Sequence, residues 1–217
     1  MGKGENFERL MPRELSDWFT CGERDDLYWR KRTRHHKESK NFQLGDVVCE
    51  SSEGQELTDL FSIELKAGYS KSRSKKPLLG KDGIVKKTKT GKPRKTVVNK
   101  PWDVLDLIDY TKRKNQKAKH FVLLGFWEQT TRDAEIAGKI PLLIFKRDFH
   151  VPVVVMDTKH LILFEEYLGT VVTDCEVKVL VDGSLLRLIR KEDFFEWLTP
   201  EIVCLLAKKL KNKKLKI

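Results

Sequence analysis

Over residues 5–19 the apolar positions Phe7, Leu10, Met11, Leu15, Trp18 and Phe19 recur at three- and four-residue offsets. That spacing predicts a helix with one apolar face. Pro12 falls inside it, so the helix either kinks there or a second helix opens at the proline. Cys21-Gly22 end it. A short β-prone run at 27–29 leads into Arg30, Lys31, Arg32 and Arg34, and His35 and His36 follow in a polar stretch. A strand is expected around 44–49, a turn over 51–54, and a second strand at 59–67, where Phe61, Ile63 and Leu65 alternate with polar residues.

Further along, Trp102, Leu105 and Ile108 restart a helical period over 102–110. The run HFVLLGF at 120–126 is continuously apolar, as in a strand covered on both faces. A short helical turn is expected at 131–138, then strands at 141–145 and 151–155 around Lys146 and Arg147. From about 157 the pattern changes to a helix at 161–168, a hairpin of 175–181 and 185–189 around Asp182-Gly183, and helices at 192–198 and 200–210. Thr199 caps the last of these, with Pro200 at its first position. No internal repeat is evident. The whole reads as an α/β domain over 1–156 with a small α+β extension over 157–217.

Charge changes this picture in one place. The chain of 217 residues carries a net charge of +11. Residues 69–100 hold twelve Lys/Arg and a single acid, Asp82, so this segment carries the whole excess and the rest of the chain is formally neutral. The segment is an inserted basic arm, rich in Ser, Thr and Gly and expected to be mobile without a ligand. Its Lys71, Arg73, Lys75, Lys76, Lys86, Lys87, Lys89, Lys92, Arg94 and Lys95 are candidates for contacting the phosphates of a nucleic acid. The arm lacks aromatics interleaved with its cations, so base stacking is not its expected mode. Trp18, Trp29, Trp102, Phe126 and Trp127 are expected in the core instead. No stretch approaches the roughly 18 apolar residues of a spanning helix, and MGKGENFERL lacks an apolar leader segment. The scattered Cys21, Cys49, Cys175 and Cys204 suit reduced thiols in a cytoplasm.

The candidate chemistry lies at 45–66. On a strand, Glu64 and Lys66 project to one face while Ile63 and Leu65 project to the other. If the strands at 44–49 and 59–67 pair, Asp46 comes beside them. Two carboxylates and an ammonium in one place can hold a divalent cation against a phosphate. Magnesium takes hard oxygen ligands, usually one or two carboxylates plus waters and substrate oxygens, and a bound metal both acidifies water and polarises a phosphoryl group. Glu8, on the first helix, is a candidate third carboxylate. Asp25 and Asp26 read as turn residues, and Tyr69 as a packing residue.

The helix with Phe7-Glu8-Arg9, the run GERDDLYWR at 22–30, Gly45-Asp46 and Ile63-Glu64-Leu65-Lys66 together resemble the PD-(D/E)XK nuclease superfamily. The likeness is to archaeal-type Holliday-junction resolvases and to related phage or prophage endonuclease-like proteins, and it covers about 5–156. Gly-Asp stands here where the superfamily's name has Pro-Asp. The resemblance implies a restriction-endonuclease-like core, α-β-β-β-α-β, with a mixed central sheet flanked by helices. It implies a DNA endonuclease with Asp46, Glu64 and Lys66 as catalytic residues. Asp46 and Glu64, with Glu8 as accessory, would hold Mg2+, for which Mn2+ substitutes. It also implies a homodimer acting on DNA, branched DNA included, in a bacterial or phage-infected cell. A non-catalytic DNA-binding or assembly protein on the same fold, and an RNA-directed nuclease, remain alternatives.

Overall fold

The computed structural model describes residues 3–30, 45–68, 72–80, 82–100, 122–147, 150–173, 176–181 and 183–212. The chain divides into two compact units, residues 1–68 with 126–217, and residues 69–125. The helix expected at 102–110, together with His35, His36, Tyr69 and Lys71, lies outside the described residues.

The first unit is built on a five-stranded mixed sheet in the order β3-β6-β7-β9-β8. Its strands are β3 (Phe61–Gly68), β6 (Ile140–Arg147), β7 (Val153–Asp157), β8 (Glu176–Val181) and β9 (Ser184–Arg190). β3 and β6 run parallel, with Glu64 opposite Leu143 and Lys66 opposite Phe145. The other pairings are antiparallel. β6 is buried from Ile140 through Phe145, as befits the strand between β3 and β7 with both faces covered. The hairpin after residue 157 supplies the two outer strands of this same sheet. The architecture is a restriction-endonuclease-like mixed sheet flanked by helices, as the resemblance implies.

Helix α1 (Lys3–Phe19) runs through Pro12 without a break. Its Phe7, Met11 and Leu15 join Ile63 and Leu65 of β3 in one core cluster. Ser16 is wholly buried. Its Oγ donates to Pro12 O at 2.9 Å and accepts from Tyr28 N at 2.9 Å. It thereby ties α1 to β1 (Tyr28–Arg30), which pairs antiparallel with β2 (Val47–Cys49). The strand expected near 44–49 therefore exists, but its ladder partner is β1 and not β3. Alternation along β1 buries Tyr28 and leaves Trp29 52% exposed, so Trp29 is not the core residue it was expected to be. Trp18 and Trp127 do pack inside, Trp18 donating from Nε1 to Phe195 O at 2.7 Å.

Two stretches take another form than their pattern predicts. Residues 59–60 end a short helix, α2 (Gln55–Leu60), which buries Leu57 and Leu60 at helical spacing. Within the apolar run at 120–126, the described residues 122–126 are not a strand but open helix α3 (Val122–Ala137), and the turn expected at 131–138 is that helix's second half. A short apolar run fits a buried helix as well as a strand. The deciding signal comes later, where Trp127, Thr130 and Ala134 are buried at offsets of three and four. Helices α4 (Thr158–Leu168), α5 (Lys191–Trp197) and α6 (Pro200–Lys211) complete the unit. Asp157 caps α4 by accepting from Lys159 N at 3.0 Å. No helix among the described residues is long and apolar enough to cross a membrane.

The second unit contains the basic arm, whose described residues form β-structure. β4 (Ser72–Pro77) and β5 (Lys95–Lys100) pair antiparallel, Ser72 opposite Lys100 and Pro77 opposite Lys95. Two smaller loops branch from the end of this stem, closed by the bridges Leu79–Val85 and Lys87–Pro93. At the branch point three backbone bonds form a ring. Leu78 N donates to Arg94 O (2.7 Å), Arg94 N to Lys86 O (2.7 Å) and Lys86 N to Leu78 O (2.8 Å). The three residues lie eight apart, so the arm contains a structural repeat that residue identities conceal.

Candidate active site

Gly45 brings the chain hard against β3. Its φ is 104°, and a Cβ there would stand 2.8 Å from Ile63 O and 3.1 Å from Ile63 N. Only glycine accepts both that dihedral and that approach. The next residue then locks on. Asp46 N donates to Ile63 O at 2.7 Å, and Asp46 Oδ2 accepts from Leu65 N at 2.9 Å. Asp46 is thus held beside Glu64 by the backbone of the strand that carries Glu64. The Gly-Asp pair places a carboxylate here through glycine's freedom.

Glu64 is 3% exposed. Its Oε1 accepts from Lys66 Nζ and from Gln129 Nε2, the latter at 2.7 Å. Lys66 Nζ also lies 5.7 Å from the centre of the Phe126 ring. As the two-residue period requires, Ile63 and Leu65 enter the core on the other face. Burial pushes the Glu64 carboxyl up to about 7, helped by the nearby Asp46 charge and opposed by the bond and charge of Lys66. Asp133, one helical turn beyond Gln129 on α3, adds a smaller push in the same direction.

A buried carboxylate with a second carboxylate raising its proton affinity is a place where positive charge is stabilising. The donor set therefore suits a hard divalent cation that takes two carboxylates from the protein and its other oxygens from water and substrate. Among the described residues, no group of three or more His, Cys, Asp or Glu converges to form a fuller cage. Glu8 makes an ion pair with Arg30 Nη2, linking α1 to β1.

Of the arm residues, Lys86, Lys87, Lys89, Lys92, Arg94 and Lys95 are exposed, while Arg73, Lys75 and Lys76 lie on β4. Asp26 accepts from Arg24 Nε at 2.9 Å in an exposed turn. Sequence reasoning missed Gln129. With 120–126 taken for a strand, the helical face on which Gln129 meets β3 was not visible.

A family model described as "phage putative PDDEXK endonuclease" matches residues 112–183. These run from before α3 through β8, and Asp46, Glu64 and Lys66 precede them. No curated protein and no solved structure matches the chain. The motifs quoted for the likeness to PD-(D/E)XK proteins lie before residue 67, while the likeness as a whole covers about 5–156 and so overlaps the match in its later part. The likeness to Holliday-junction resolvases gains nothing from it. The chain is similar to the phage endonuclease-like branch of the PD-(D/E)XK superfamily.

Proposed function

We propose that the chain is a magnesium-dependent endodeoxyribonuclease that hydrolyses phosphodiester bonds at Asp46, Glu64 and Lys66. The observation that carries this is the buried Glu64 carboxylate beside Asp46 and bonded to Lys66. Bound Mg2+, or Mn2+ in its place, supplies an acidified water and polarises the phosphoryl oxygens. Asp46 and Glu64 hold it. Lys66 exchanges its bond to Glu64 for one to the scissile phosphate or the attacking water. Gln129 keeps Glu64 oriented throughout, because its amide bonds the same oxygen. Glu8 is at most an accessory ligand, since it must leave Arg30 to take part. The arm's cations contact the DNA backbone, an interaction that is independent of sequence and weakened by salt. Branched DNA such as a four-way junction is the favoured substrate, cut by a homodimer in a bacterial or phage-infected cell.

Incubating the purified protein with supercoiled, linear and four-way-junction DNA, and with RNA, in magnesium or in EDTA tests this. Cutting of DNA in magnesium that vanishes in EDTA, and in Asp46→Asn and Glu64→Gln, is expected. Equal cutting by those variants refutes the site. Tight DNA binding without any cutting means a non-catalytic binder, and cutting of RNA alone means an RNA-directed enzyme.

A further inference from the structure

The two small loops of the basic arm share one backbone geometry and differ in chemistry. In the first, Gly80 N donates to Ile84 O at 2.7 Å and Gly83 N to Gly80 O at 3.1 Å. In the second, Thr88 N donates to Lys92 O at 2.7 Å and Gly91 N to Thr88 O at 3.0 Å. Gly83 and Gly91 both have φ of 75°, the left-handed position that closes such a turn. A shift of eight residues therefore maps one loop onto the other. Under that shift Leu79, Ile84 and Val85 correspond to Lys87, Lys92 and Pro93. One loop presents lysines and the other presents aliphatic side chains.

Those aliphatic side chains are uncovered. Leu79 is 56% and Ile84 67% exposed. Leu79 is bridged to Val85, whereas Ile84 is bonded through Gly80, so by the alternation of an antiparallel pair they emerge on opposite faces of the loop. Lys86, Lys87, Lys89, Lys92, Arg94 and Lys95 stand exposed on the adjoining segments. The loop's one acid, Asp82, is turned back so that its Oδ1 accepts from Ile84 N at 3.1 Å. A narrow loop that shows an aliphatic side chain on each face and is flanked by cations matches a gap between stacked base pairs bordered by phosphates. Apolar wedges of this kind unstack a base step while neighbouring Lys and Arg hold the backbone.

We propose that the arm binds duplex DNA through both loops, with 87–93 on the phosphates and Leu79 and Ile84 inserted at a base step that they unstack and bend. This rests on the nucleic-acid reading above but not on catalysis. It makes the arm a device that distorts its substrate as well as one that attracts it.

The test uses the full chain in EDTA, so that no cleavage intervenes. The probe is a short duplex carrying 2-aminopurine and a fluorescence energy-transfer pair at its ends. The wild type is expected to raise 2-aminopurine emission and shorten the end-to-end distance. Leu79→Ser with Ile84→Ser abolishes both changes while leaving the salt dependence of binding as it was. Ile84→Lys, which gives the first loop the residue of the second, binds at least as tightly and distorts less. Replacing Lys87, Lys89 and Lys92 by alanine lowers the slope of log affinity against log salt by about 3, at about 0.9 per lost phosphate contact. Distortion that persists in the serine variant overturns the proposal. So does a wild type that binds duplex without distorting it, or that binds only single strands or RNA. A protein that distorts DNA in EDTA yet never cuts in magnesium refutes the nuclease reading and leaves this one standing.

Discussion

Glu64 is the buried carboxylate at the centre of the proposed site, and its neighbours set its properties. Gln129 and Lys66 both donate to its Oε1, and donors to a carboxylate favour its charged form. Gln129→Ala removes one of them, so the proton affinity of Glu64 rises further. The acidic limb of the pH–activity profile is expected to move to higher pH, whereas a merely structural loss would lower activity evenly at all pH values. Gly45→Ala tests the other half of the site. The added methyl meets Ile63 O and sits on a left-handed residue, a combination that costs about 1–3 kcal/mol. Urea unfolding should show that loss, and cleavage should fall with it because Asp46 shifts. The Glu64–Lys66 pair was legible because a strand's alternation is strict, whereas Asp46 comes beside it through the turn at Gly45 and not through the expected strand pairing. Gln129 was not legible, because its visibility depended on recognising the helix that bears it.

Elements here are joined by a few polar ties within a large apolar contact. Ser16 is the clearest, with its buried hydroxyl bridging Pro12 O on α1 and Tyr28 N on β1. Ser16→Ala leaves the Tyr28 N–H buried without its acceptor, at a cost of about 1–3 kcal/mol. The urea midpoint should fall with an unchanged m-value. The amphipathic α1, the alternating β3 and the β8–β9 hairpin were readable from sequence because each shows its period over its full length. α3 was not, because its first turn is apolar all round and mimics a central strand. The partnership of β2 with β1 was equally hidden, since both strands are three residues long and pairing is decided by tertiary contacts. In the basic arm, composition revealed the charge but concealed the eight-residue ring, because that ring is made wholly of backbone groups.

For the molecule as a whole, two buried groups tie stability to pH with opposite signs, Glu64 and His160. His160 is 4% exposed, and neither ring nitrogen has a hydrogen-bond partner among the described residues. Burial pushes it down to about 4, reinforced by Lys159 and opposed by Asp157. Between about pH 4 and its ordinary value near 6.5, the unfolded chain binds a proton that the folded one refuses. The His160 contribution to stability therefore falls as pH falls through that window and levels off below it, a loss on the order of 3 kcal/mol. Glu64, pushed up to about 7, adds an opposite slope below pH 7, so the His160 part is read as the difference between the urea midpoints of the parent and of His160→Phe from pH 7 to pH 4.

β3 is the end strand of its sheet among the described strands, so its outer backbone groups have no ladder partner in that sheet. Asp46 occupies two of them, accepting from Leu65 N and donating to Ile63 O. Asp46 is therefore an edge guard as well as a carboxylate of the proposed site, standing where another chain's strand would otherwise dock. Asp46→Ala removes the carboxylate and its bond to Leu65 N while keeping the backbone bond to Ile63 O, and it is expected to promote self-association as well as inactivity. Asp46→Asn keeps a carbonyl for Leu65 N and separates the two. A light-scattering comparison of the two variants distinguishes lost chemistry from lost solubility, and it is the control without which an inactive alanine variant says little about metal.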